Sequence, residues 1–174
     1  MSVVGLYSID GDDWYGTYGW AVAKGGSDDF LKPWDRKTPM QHDWADQHGT
    51  DVDTANVFFK AKEISVPGAL IAANEADFWL KYNAFFKKLA EPGTRRIYIN
   101  ELGRSFYVYY DSCTSFTRLT RIKTNLGNKV ACKFTLKFIE PVPSFWKQFT
   151  YLVDKDGRKL ITNTNNKILI PPTK

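Results

Sequence analysis

The segment Asn74 to Gly93, NEADFWLKYNAFFKKLAEPG, restricts this chain more than any other, because it is the one stretch with a sustained helical period among segments patterned for strands. Phe78, Tyr82, Phe85 and Leu89 recur at the spacing that gathers side chains on one face of a helix, and Trp79 and Phe86 widen the stripe. Asn74 is a favourable N-cap, Glu75 and Asp77 complement the positive end of the helix dipole, and Lys81, Lys87 and Lys88 lie toward the other end. Pro92 and Gly93 stop the pattern, which predicts a helix over residues 75–90. An aromatic face of this size must be buried, and the flanking segments offer a sheet to bury it on.

Those segments read as strands. Ser2 to Ile9 closes on the turn Asp10-Gly11-Asp12, Tyr18 to Ala23 is a second short strand, and Asn56 to Val66 is a third, ending at a Pro67-Gly68 turn before the helix. After the helix, Arg95 to Asn100 and Ser105 to Asp111 form a hairpin, with Phe106, Val108 and Tyr110 on one face and Tyr107 and Tyr109 on the other. Phe116 to Lys123 follows as a strand. Lys129 to Glu140 gives the cleanest alternation, Val130, Cys132, Phe134, Leu136 and Phe138 inward, and so belongs in the middle of the sheet. The fold class expected is mainly β, an antiparallel β-sandwich with one amphipathic helix packed on it. Pro141 and Pro143 mark a boundary, dividing a sandwich domain over 1–143 from a C-terminal arm over 144–174 with a hairpin at Asp156-Gly157. Lys24 to Thr54 carries Gly, Pro and Asp at short intervals and reads as one long loop, a length that in compact domains is usually functional or partner-ordered.

A chain of 174 residues suits one domain with a full core. The formal charge of +5 comes from Lys and Arg interspersed with Asp and Glu, so it gives little support to nucleic-acid binding. Cys113 and Cys132 follow no metal-ligand spacing and are expected to be reduced, Cys132 as a small hydrophobe on the apolar side of its strand. The N-terminus has neither the basic region nor the apolar run of a signal peptide, and no segment is long and apolar enough to span a bilayer, so synthesis in a cytoplasm is expected.

The residue types for chemistry are sparse. His42, Asp46 and His48, with Asp43 beside them, are the available set for a divalent metal, but their spacing matches no helical metalloenzyme motif, and a solvated polar loop is the plainer reading. Lys24-Gly25-Gly26-Ser27 lacks the ending of a phosphate-cradling loop, and two histidines in one loop give a Ser/His/Asp triad few ways to form. No catalytic residue, cofactor site or enzymatic activity is expected. Trp14, Tyr15 and Tyr18 fit either a sugar-stacking platform or aromatics closing one edge of the core.

The order of elements resembles the N-terminal domain of the distal tail proteins of long-tailed bacteriophages, a family related to tail tube and baseplate hub proteins. The resemblance is carried by EISVPGALIAANEADFWLKYNAFFKKLAEPGTRRIYI, by the hairpin NELGRSFYVYYDSCTSF and by the strand ending FIEPVP. In that family a helix ends in leucine then Pro-Gly and feeds a strand that opens with arginine and hydrophobic residues; Leu89, Pro92, Gly93, Arg96, Ile97, Tyr98 and Ile99 stand in those places. The resemblance implies a non-enzymatic virion protein of the tail, made in the host bacterial cytoplasm. It would form a hexameric ring that joins the tail tube to the tip or baseplate. Its partners would be its own copies, the tube protein and the tip proteins, with DNA as passing cargo and no membrane contact. A tail tube subunit of the same fold class, a carbohydrate-binding β-sandwich and a metal-dependent hydrolase are the alternatives.

A ring subunit needs two different patches that meet on neighbours. Lys24 to Thr54 and the arm are the expected interfaces, with Trp34, Trp44, Phe145 and Trp146 as anchors; the alternative is that these segments fold back on their own core.

Overall fold

In the computed structural model, the described residues are 4–123 and 129–143, with the backbone of 150, 151, 169 and 170. The elements are β1 (Tyr7–Ile9), β2 (Asp12–Asp13), α1 (Trp14–Tyr18), β3 (Trp20–Val22), α2 (Asp28–Leu31), β4 (Gln41–His42), β5 (Asp51–Val52), β6 (Lys62–Ala72), α3 (Glu75–Leu89), β7 (Arg95–Ile99), β8 (Arg104–Arg118), β9 (Val130–Glu140), β10 (Thr150–Tyr151) and β11 (Leu169–Ile170). Seven of the strands form an antiparallel array in the order β2-β1-β7-β8-β9-β6-β3. β8 is the corner. Its first part, Arg104 to Val108, pairs with β7, and its second, Tyr109 to Arg118, pairs with β9. Register shifts on β8 between Tyr110 and Ser112 and between Cys113 and Ser115 turn the strand, as bulges do where one layer of a sandwich passes into the next.

The alternation of β9 decides the inner face. Val130, Cys132, Phe134, Leu136 and Phe138 are all buried, and they are matched across the ladder by Ile64, Val66, Leu70 and Ala72 of β6. Ile9, Ile97, Ile99, Phe106 and Val108 continue the same core from the other layer. β9 lies between β8 and β6, the interior position its pattern predicts.

Helix α3 covers this face. Asn74 Oδ1 accepts from Asp77 N at 2.9 Å, and Asp77 Oδ2 accepts from Ala73 N at 2.9 Å, so cap and third helical residue satisfy two otherwise orphaned donors. Phe78, Phe85 and Leu89 are buried, with Tyr82 and Phe86 partly so. Phe85 is the hub, its ring centroid 6.2 Å from Trp14, 5.3 Å from Tyr18 and 5.7 Å from Trp20. Trp79 corrects the expected stripe: it is 44% exposed and touches only the helix's own Phe78 and Tyr82 among the described rings. One position beyond Phe78, it is rotated about 100° off the buried line, and among the described residues no strand reaches out to cover it.

Other expectations shift in detail. β1 begins at Tyr7, and Tyr18 ends the short helix α1 before β3 starts at Trp20. The expected strand Ser105 to Asp111 and the first residues of the expected strand Phe116 to Lys123 are one strand, β8, carried past its bulges and ending at Arg118. The Pro67-Gly68 turn is absent, since β6 runs through both residues to Ala72. Pro67 is tolerated because its missing N–H falls at the end of β3 and not in the ladder with β9. Ala23 N donates to Pro67 O at 2.8 Å, but Pro67 cannot reciprocate, and Ala23 O accepts from Gly26 N at 3.0 Å instead. Gly68 is required by close approach: a Cβ there would stand 2.5 Å from the Trp20 ring. The arm's expected hairpin at Asp156-Gly157 lies outside the described residues.

Candidate assembly surface

The segment read as one structureless loop is a protruding ribbon. After α2 the chain pairs with itself: Lys37 N donates to Phe58 O and Lys60 N to Asp35 O, each at 2.8 Å, around an Arg36–Phe59 bridge. Further out, β4 and β5 pair Gln41 with Val52 and His42 with Asp51, and Asp53 N donates to Met40 O at 3.0 Å. The Asp53 carboxylate accepts from Asn56 Nδ2 and Ala55 N, and those bonds hold it below the usual carboxylate range. Two-stranded ribbons have no face to bury, and this one leaves Met40 84%, Phe58 64% and Trp44 48% exposed. Near the tip, the Trp44 ring meets His42 edge-on at 4.0 Å.

At the base of the ribbon lies a cavity of about 450 Å³, lined by Phe30, Trp34, Phe59, Leu102 and Phe106 together with Lys32, Lys62 and Arg104. Lys62 is 7% exposed and stands opposite Glu140 in the β6–β9 ladder. Its Nζ donates to Phe30 O at 2.7 Å and lies 5.7 Å from the centre of the Trp34 ring. Burial draws the Lys62 pKa down, against the opposing pull of Glu140 and Asp29. The Arg104 guanidinium is exposed and makes no ion pair among the described residues.

A third feature is an open edge. Along Tyr109 to Arg118 only β9 is paired with β8, and among the described residues no strand lies on the other side. Phe116, 52% exposed, stacks on Phe134 from that rim.

Of the four expected anchors, Trp34 is partly buried at the cavity and Trp44 projects on the ribbon, while Phe145 and Trp146 lie outside the described residues. His42, Asp46 and His48 are exposed, and no group of three or more His, Cys, Asp or Glu is placed to hold a metal ion among the described residues. Trp14 and Tyr18, 1% and 5% exposed, are core side chains and present no ring to a sugar. Sequence reasoning missed Lys62, Arg104 and the β8 edge. Lys62 had a signal: it occupies the inward-facing register of β6, two residues before Ile64, where a lysine is out of place.

No family model matches the chain, and no curated protein matches it. Among solved structures, the fold superposes on one with a TM-score of 0.54 at 17% identity, over 77% of this chain. The fold is similar to that of the SPP1 Dit (gp 19.1) protein. SPP1 Dit is described as a paradigm of the hub adsorption apparatus in phages that infect Gram-positive bacteria. This chain spans about half of SPP1 Dit, 48% of its length. At 17% identity the likeness to SPP1 Dit is one of fold.

Proposed function

We propose that this protein is a structural component of a phage tail, a non-enzymatic subunit that closes into a ring, hexameric by family resemblance, where the tail tube meets the tip or baseplate. The observation that carries the reading is the fold it shares with a phage hub protein over 77% of the chain. The exposed surface supports it. A monomer gains nothing from a ribbon that holds Met40, Trp44 and Phe58 in water or from an edge along Tyr109 to Arg118 that is open among the described residues. Both features become useful when copies meet, the edge through strand pairing and the ribbon through side-chain anchoring. The ring's partners are then the tube and tip proteins, and the virion tail is its location.

Negative-stain microscopy with light scattering tests this on the purified chain, alone and co-expressed with the tube and tip proteins from the same phage. Annular particles in either preparation are the expected result. Absence of the protein from purified virions would sink the reading.

A further inference from the structure

We infer that the ribbon tip of one copy seats Trp44 in the cavity bounded by Trp34, Lys62 and Arg104 on a second copy. The inference rests on the assembly reading above and names the contact that carries it.

Charge matches across the two surfaces. From Gln41 to Asp53 the tip holds Asp43, Asp46, Asp51 and Asp53 and not one lysine or arginine. The cavity lining holds Lys32, Lys62 and Arg104 and no carboxylate of its own; Lys62 is answered from behind by Glu140 and Asp29, which leaves the exposed Lys32 and Arg104 as the cations that face outward. Size and polarity match as well. The cavity's roughly 450 Å³ lies in the range that accepts a compact ligand group, and its walls are aromatic and aliphatic around the cations. Trp44 is a half-exposed indole flanked by Asp43, so its ring would fill the apolar part while the neighbouring carboxylate meets the Arg104 guanidinium at the rim.

The tip cannot reach the cavity of its own subunit. That cavity lies at the ribbon's base, beside Trp34 and Phe59, whereas pairing from Arg36–Phe59 out to His42–Asp51 holds the tip away. At about 3.3 Å per extended residue, the six steps from Arg36 to His42 span up to about 20 Å. Knob and hole therefore join different copies, and every copy carries one of each. Such a contact is heterologous, so it propagates from copy to copy until the rotation closes.

The test uses the full chain in sedimentation velocity up to about 1 mM, the affinity at which even weak specific contacts register. Trp44→Ala removes the knob and Arg104→Glu reverses the rim of the hole; both side chains are exposed, so both variants fold, which circular dichroism verifies. Each variant alone is expected to weaken association by about thirtyfold, as for an interface hot spot. Mixed at equal ratio, the two restore a single junction, from the Arg104→Glu copy's tip to the Trp44→Ala copy's cavity, and stop at a dimer. Association of either variant at wild-type strength overturns this contact and leaves the ring reading standing. A mixture that stays monomeric while the wild type assembles overturns it too, as does a wild-type chain that is monomeric throughout. Rings seen with the tail partners would then show that assembly uses other surfaces.

Discussion

Asp10 and Arg96, 86 residues apart in the chain, exchange two hydrogen bonds: Arg96 N donates to Asp10 Oδ1 at 2.9 Å, and Asp10 N donates to Arg96 O at 2.8 Å. The pair pins the β1–β2 turn to the first residues of β7. Asp10 adopts a left-handed φ of 52°, tolerable for an aspartate whose short side chain is locally bonded. Lys88 at 3.4 Å brings the end of α3 to the same carboxylate, and Arg95 of β7 stands at 3.2 Å from it.

This makes acid the natural probe of the junction. Partial burial works to raise the Asp10 pKa, but the Arg96 N–H, Lys88 and Arg95 outweigh it and hold the carboxyl below its ordinary value. A carboxyl lowered in the folded state stabilises above its unfolded pKa and loses that contribution as pH falls through the folded one. Chemical denaturation of the wild type should therefore show stability falling from about pH 5 toward about pH 2, with a shallower fall in Asp10→Asn. Parallel curves for the two proteins would contradict the assignment.

Removing the helix cap tests a local term. Asn74→Ala deprives Asp77 N of its acceptor and should lower unfolding free energy by about 1 kcal/mol, measured by urea titration.

The helix face offers a paired comparison. Phe85→Ala opens a cavity among Trp14, Tyr18 and Trp20 and should cost about 3–5 kcal/mol, while Trp79→Ala, on the exposed flank, should cost under about 1 kcal/mol. Equal losses would mean that Trp79 is covered in solution.

Gly68→Val introduces a Cβ that would lie within 2.7 Å of both the Trp20 ring and Ala21 O, so Trp20 must leave its contact with Phe134. The expected cost is about 1–3 kcal/mol, with a red shift of tryptophan emission in the folded protein.

The two cysteines should separate in alkylation by iodoacetamide. Cys113 is exposed at the β8 edge, whereas burial pushes the Cys132 thiol up to about 11. Intact-mass analysis at about pH 8 should show one adduct on the native protein and two after denaturation.

The helix and the strand from Val130 to Glu140 were legible because their side chains repeat against one surface, and period alone records that. The ribbon was not, because two strands that pair with each other and bury nothing have no apolar period to betray them. Arg36 and Phe59 are set opposite each other by backbone bonds of their neighbours, Lys37 to Phe58 and Lys60 to Asp35, which any residue types supply. Pro67 misled for a related reason: a proline usually breaks a ladder, and only the position of β3's last residue makes this one harmless. The cavity escaped because Lys62, Leu102 and Arg104 belong to elements joined only by the fold.

The Ala23–Pro67 junction has a consequence for how the chain can vary. Since the ladder stops there for want of one donor, the chain from Lys24 to Ala61 leaves and rejoins the sheet at its perimeter; α2 returns Phe30 to the core, and the ribbon beyond the Arg36–Phe59 bridge carries no residue of that core. The length of that outer ribbon is decoupled from the sandwich, because doubling a flexible loop adds only about 0.6 kcal/mol to its closure. Reach toward a neighbour can thus be lengthened, shortened or exchanged wholesale without renegotiating the core, an interchangeable handle on a fixed body.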